Sequence, residues 1–138
     1  ILHRLQSRYE ASTWSSIIVN DFATLYAEEQ AWKLTTASGV GTDERRLSEQ
    51  YDAIIIDSPL AHLSRDLRYG IELLSANGVL YTTEPETPVG DYDELDDDGK
   101  AKVDGFNAWI ELIHGVQSTH HVAFVPLFAG TIVAFFKR

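Results

Sequence analysis

A carboxylate stands directly behind a short apolar run in Tyr51-Asp-Ala-Ile-Ile-Ile-Asp-Ser-Pro59, at Asp57. The run Ala53 to Ile56 is largely β-branched and does not alternate, which suits a strand buried on both faces of a parallel sheet. Ligands of open α/β sheets bind in the crevice outside the carboxyl ends of such strands, so Asp57 falls where chemistry is usually done. The other reading is that Asp57 caps the loop or the helix that follows. His62 comes just after, in the loop or first turn of that helix. Its reference pKa near neutrality suits a general base, and the plainer alternative is an exposed loop histidine. The His120-His121 pair stands at a strand start, where one ring must face outward, and is read as structural. Trp14, Trp32 and Trp109 are read as packing residues.

Several elements must position these groups. Leu2, Leu5 and Tyr9 recur at helical spacing and predict a helix to about residue 11. Ile17, Ile18 and Val19 predict a strand over 16–20, ended by Asp21. A helix is expected from Phe22 to Leu34, a weak strand and a glycine loop over 35–42, and a short helix from Thr42 to Gln50. After the Asp57 strand, Leu63, Leu67, Ile71 and Leu74 mark a helix that Asn77-Gly78 stops. Val79 to Thr83 reads as a strand, and Val103, Phe106, Ile110 and Ile113 as a helix. Val122 to Val125 and Thr131 to Phe136 read as a hairpin turning at Gly130. Between them, Pro85 to Lys100 is polar, acidic and rich in breakers, and is expected to be a mobile loop over the site. The alternation predicts an α/β fold: a mostly parallel sheet with helices on both faces and one antiparallel strand from the terminal pair.

The 138 residues suit one domain with a proper core. A net charge of −10 argues against a nucleic-acid partner, since phosphates would be repelled. No apolar run is long enough to cross a membrane. The absence of cysteine removes disulfides, thiolate metal sites and a cysteine nucleophile, and fits a cytoplasmic location. The absence of Met and an opening inside a helical pattern suggest that upstream residues are missing. Oligomeric state is not set, and a homo-oligomer is left open.

The element order from Ser16 onward, the stretch Tyr51 to Asp57, the turn Glu72-Leu-Leu-Ser-Ala-Asn-Gly-Val-Leu80 and the ending Pro126 to Lys137 together resemble the class I S-adenosylmethionine-dependent methyltransferases. Within that family the small-molecule O-methyltransferase type is the most similar. Asn77 stands where the family has the first of two glycines, and it tolerates the same left-handed backbone. The resemblance implies a Rossmann-like fold, S-adenosylmethionine as cofactor and a small-molecule methyl acceptor. It implies that Asp57 faces the methyl-transfer centre with His62 nearby. It also implies that Asp21 receives the cofactor ribose hydroxyls, that Asp43 lies near the adenine amino group and that Ser58 contributes to the cofactor site. For Asp21 the alternative is an N-cap of the Phe22 helix, and for Asp43 a helix start. Some family members hold a divalent cation at these strand ends, and Glu84 would be the second ligand. Thr83 stands where an acid would be expected, so no metal is assigned.

The family's glycine-rich cofactor loop has no match, and residues 1 to 11 resemble the helix that follows it. Two rival readings therefore stand. One is a non-catalytic relative that uses the fold for binding or oligomerisation. The other is a phosphoacceptor receiver domain with Asp57 as acceptor and Thr82 or Thr83 as the switch hydroxyl. It lacks the expected lysine at Val125-Pro126-Leu127 and does not account for the terminal strand pair.

Overall fold

The computed structural model describes residues 7, 18–37 and 47–138. The chain divides into two compact units, Ile1–Leu47 and Ser48–Arg138. In the first, helix α1 spans Phe22–Ala37. Asp21 starts it as an N-cap: its Oδ2 accepts the Thr24 backbone N–H at 3.1 Å, satisfying a donor with no partner inside the helix. The helix runs three residues past the expected end at Leu34. Thr35 and Thr36 are therefore helical, where a weak strand was expected. Their hydroxyls donate back to carbonyls of the preceding turn, at 3.0 Å for Thr35 to Ala31 and 2.9 Å for Thr36 to Trp32, which lets threonine sit in a helix. Residues 18–20 carry no strand, and 47–50 no helix. The rest of the predicted strand over 16–20, of the loop over 38–42 and of the helix from Thr42 lies outside the described residues. So does the opening helix, apart from Ser7, which is helical.

The second unit is an α/β layer. Its elements are β1 (Tyr51–Ile55), α2 (Leu60–Glu72), β2 (Leu74–Thr83), a 3₁₀ turn (Tyr92–Glu94), α3 (Asp97–Val116), β3 (His120–Leu127) and β4 (Gly130–Lys137). The sheet order is β1-β2-β4-β3. β1 and β2 are parallel, and β4 is antiparallel to both β2 and β3. Thus β1, β2 and β3 run the same way, and β4 is the one reversed strand. The predicted terminal hairpin is present and turns through Phe128 and Ala129. β3 is the edge strand, which is where Pro126 costs no ladder bond.

The crossovers β1-α2-β2 and β2-α3-β3 progress in one direction across the sheet. Right-handed connections then place α2 and α3 on the same face. Side chains agree: Ile54, Ile56 and Leu80 lie beneath Gly70 of α2, and Trp109 of α3 meets Phe124 of β3 edge-on at 6.3 Å. Leu67, Leu80, Leu112, Val133 and Phe135 form the buried layer between helices and sheet. Neither α2 nor α3 covers the sheet's other face, on which Ile55 is 78% exposed while Ala134 is buried.

α2 ends at Glu72 rather than near Leu74, and Asn77-Gly78 lies within β2. The pair is still an irregularity. The register jumps from Tyr51↔Leu74 to Ala53↔Val79, so β2 bulges between them. A Cβ on Gly78 would sit 2.8 Å from the Tyr51 carbonyl oxygen, which explains the glycine. Of the expected loop over 85–100, residues 85–91 and 95–96 are loop, Tyr92–Glu94 form the 3₁₀ turn and α3 begins at Asp97. Asp96 caps α3 by accepting the Gly99 N–H at 2.8 Å, and Asp97 and Asp98 occupy the first turn, where the helix dipole favours carboxylates.

Candidate functional site

Two clefts open at the carboxyl end of the parallel strands. Both lie wholly within the second unit. One, of about 470 Å³, is lined by Ile55, Ile56, Asp57, Tyr81, Thr82, Thr83 and Ile132. Ile55, Tyr81 and Thr83 belong to the sheet face that α2 and α3 leave open. The other cleft, of about 540 Å³, lies on the helix side. Ser58, the start of α2 at Leu60 and Leu63, the segment 85–89, and Leu95, Gly99 and Lys102 enclose it. Thr82 and Thr83 line both clefts, so the two meet at the end of β2.

Strand geometry produces this arrangement. Successive side chains of β2 point to opposite faces, so Leu80 and Thr82 are buried while Tyr81 and Thr83 are exposed on the other side. β1 and β2 end side by side, and the Ile56 N–H still donates to the Tyr81 carbonyl at 2.9 Å. The chain then leaves the sheet at Asp57 and turns into α2 at Pro59. β4 begins opposite: the Glu84 N–H donates to the Thr131 carbonyl at 2.8 Å, which brings Ile132 to the rim. On the helix side, Gly105 of α3 lets its backbone approach α2, since a Cβ there would lie 2.8 Å from the Leu60 carbonyl oxygen.

Asp57 is exposed at the rim of the first cleft, and among the described residues it has no hydrogen-bond or ion-pair partner. A carboxylate so placed is available to a cation or to hydroxyl and amide donors of a ligand. Ser58, its neighbour, faces the second cleft. Its hydroxyl donates to Asp66 Oδ2 at 2.7 Å, and Arg65 Nε holds the other carboxylate oxygen at 2.9 Å. Asp66 is only 5% exposed, so a buried carboxylate fixes the Ser58 rotamer from behind. His62 lies on the exposed first turn of α2, its N–H donating to Pro59 O at 2.8 Å, and lines neither cleft. The structure thus brings Asp57 and Ser58 to one place and leaves His62 outside it. Asp21 belongs to the first unit, where its carboxylate serves the α1 N-cap. Asp43 lies outside the described residues. Glu84 is exposed and lines neither cleft, and no cluster of three metal-binding side chains occurs among the described residues. Trp109 packs in the core, 5.7 Å from Phe106. His120 is buried and His121 exposed, as the alternation of a strand requires.

Sequence reasoning missed Tyr81, Ile132 and Asp66. The first two had a usable signal, because a strand's last residues alternate between two faces and both faces are open at its end. Asp66 had none: a single acid on a helix of good amphipathic pattern reads as a solvated face.

No protein-family model and no curated protein matches the chain. Solved structures do. A methyltransferase of Podospora anserina with S-adenosylhomocysteine bound is 15% identical, with 86% of this chain and 58% of that one covered and a TM-score of 0.45. A candidate O-methyltransferase of Klebsiella pneumoniae is 11% identical over 80% of this chain and 55% of its own, also at 0.45. A candidate rRNA methylase of Clostridium thermocellum is 12% identical over 85% and 68%, at 0.46. The chain spans under two thirds of the length of the first two. At this distance no residue's role carries across.

Proposed function

We propose that this chain contributes the catalytic end of an S-adenosylmethionine-dependent methyltransferase acting on a small molecule. The observation that carries the reading is the carboxylate of Asp57, unpartnered among the described residues, on a mostly apolar cleft where two parallel strands end. The sequence resemblance from Tyr51 to Leu80, joined to the reversed strand β4, supports the same reading. A receiver domain is the weaker alternative, because its all-parallel sheet has no place for β4 between β2 and β3.

The residues of the first cleft suit the cofactor. Its volume is within the ordinary range for small-molecule sites, roughly 300–1,000 Å³. Ile55, Tyr81 and Ile132 offer apolar walls, and Asp57 offers the negative charge that a sulfonium requires. S-adenosylmethionine, when bound, supplies a methyl group on a cationic sulfur. Asp57 holds positive charge at the rim by electrostatics without moving a proton. Thr82 and Thr83, at the junction of the clefts, orient the two ligands toward each other, and such positioning is the larger part of what methyl transfer asks of a protein. His62 is outside both clefts and is given no part in deprotonating the acceptor.

The partner under this reading is a small molecule and not a nucleic acid, in keeping with the net charge of −10. No helix among the described residues is long and apolar enough to cross a membrane. The reading takes the chain as cytoplasmic on its cysteine-free composition. Calorimetry of the full-length protein with S-adenosylmethionine and S-adenosylhomocysteine tests the proposal. Binding that weakens in Asp57→Asn supports it. No heat with either ligand at millimolar concentration removes it in favour of a non-catalytic binding domain.

A further inference from the structure

We infer that the second cleft selects an uncharged, largely apolar acceptor carrying one hydroxyl or amine, and excludes carboxylates and phosphates. This rests on the methyl-transfer reading, but its ligand is read from the cleft itself. Leu60, Leu63, Pro85, Pro88, Val89 and Leu95 make the apolar part of the wall, and a space of about 540 Å³ suits a molecule the size of a fused aromatic ring pair or larger.

Of the four hydroxyls on the wall, Ser58, Thr82, Thr83 and Thr87, the first two bear most on the polar group the ligand carries. The single proton of Ser58 Oγ is committed to Asp66 Oδ2 at 2.7 Å, so toward the cleft Ser58 has only lone pairs to offer. It reads a donor, an O–H or N–H, and rejects an acceptor without hydrogen. Thr82 Oγ1 is buried and, among the described residues, reaches only the Thr83 carbonyl at 3.5 Å, too long to satisfy it well. The Thr82 proton is therefore open to a ligand lone pair, and a hydroxyl or amine, which both donates and accepts, answers Ser58 and Thr82 alike.

Charge decides what the ligand cannot carry. Among the described residues Lys102 is the one cation on the wall, and its Nζ lies 2.6 Å from Asp98 Oδ2. Glu86 is on the wall as well, and Glu84, Asp91, Asp93, Glu94, Asp96 and Asp97 belong to the same stretch of chain. An anion entering here meets net negative potential, and the described wall offers it no uncommitted guanidinium or ammonium. In the transfer itself, a lone pair of the acceptor oxygen or nitrogen forms the new bond to the methyl carbon. The C–S bond breaks with its electron pair left on sulfur, giving S-adenosylhomocysteine, and the acceptor's proton passes to solvent.

The test uses the full chain with naphthol and naphthoate, which share a ring system and differ in charge at neutral pH. Binding is read by fluorescence titration, and S-adenosylhomocysteine binding separately by calorimetry. Naphthol should bind at least about tenfold more tightly than naphthoate. Val89 is 87% exposed, so Val89→Asp leaves the fold intact, and it should weaken naphthol about tenfold while leaving S-adenosylhomocysteine unchanged. Ser58→Ala should weaken naphthol but not naphthalene. Equal affinity for naphthol and naphthoate overturns the inference, as does S-adenosylhomocysteine binding with no naphthol binding. Naphthol binding that Val89→Asp weakens, in a chain that binds no S-adenosylhomocysteine, sustains the cleft assignment and removes the methyl-transfer reading.

Discussion

The two ends of one sheet are built to opposite rules. At the amino end of the parallel strands, polar groups are paired across elements, with His120 Nε2 the exception. Tyr51 N–H donates to Leu73 O at 2.8 Å, Arg138 N–H to Thr119 O at 3.0 Å, and the Lys137 ammonium to the Leu74 carbonyl. His120 and Thr119 close the corner at 2.8 Å. At the carboxyl end, Asp57 has no partner among the described residues, Thr82 is poorly paired, and two clefts stand open. Backbone and side-chain pairing at one end holds the register. The other end can then leave polar groups unpaired for a ligand, at a cost in stability that the stitched end offsets.

The sharpest way to break this comparison is to alter each end and ask which property moves. Asp57→Asn removes the charge and keeps the shape. Under the proposed methyl transfer it should lower turnover about a hundredfold, the scale of losing one electrostatic stabiliser of a transition state. Its effect on unfolding should stay within about 0.5 kcal/mol, because the side chain is exposed and unpartnered among the described residues. A large loss of stability in urea titration would mean that Asp57 is a structural cap and that the two ends are not divided by role.

At the stitched end the pattern should reverse. Gly78→Ala puts a Cβ 2.8 Å from the Tyr51 carbonyl oxygen, and backbone has little room to give. It should cost about 1–3 kcal/mol in denaturant unfolding, as overpacking does, and leave cofactor calorimetry unchanged. A smaller effect is expected where the clefts meet the acidic segment. Asp96→Ala removes the α3 cap and should cost about 1 kcal/mol. Because Leu95 and Gly99 line the second cleft, it should also weaken naphthol more than S-adenosylhomocysteine. Equal weakening of both would show that the clefts do not act separately.

The sequence made some of this division legible. Asp57 was readable because, in an alternating α/β pattern, an acid behind a β-branched run marks the point where a strand leaves the sheet. The hairpin was readable from two apolar runs around Gly130. The bulge at Gly78 was not, because a turn and a bulge both use Asn-Gly, and only the partner strand distinguishes them. The boundary of α2 failed for a related reason: Leu74 continues the helical spacing, yet it serves as the first pairing residue of β2. The acidic run misled at its end, because charge was weighed as repulsion along a loop, whereas Asp96, Asp97 and Asp98 are favourable at a helix start. Asp66 lay beyond reach, since its burial depends on Ser58 and Arg65 folding over it.

The subtlest test of the stitched end is its pH dependence. His120 is 6% exposed, with Nδ1 2.8 Å from Thr119 Oγ1. The same hydroxyl lies 3.2 Å from Val116 O, so Nδ1 is paired, whereas Nε2 has no partner in a buried place. Burial, and then the nearby Lys137 charge, push the His120 pKa below its usual 6.5. A depressed folded-state pKa means that the fold prefers the neutral ring. This contribution to stability is fully present above the unfolded value near 6.5 and is lost as pH falls through the folded value. Urea midpoints should therefore decline on the acid side of pH 6.5. His120→Asn keeps a polar partner for Thr119 and cannot take up a proton, so its midpoint should decline less over the same range. If the two curves run parallel, His120 is not the titrating group, and the corner owes its stability to the Lys137 and Arg138 contacts alone.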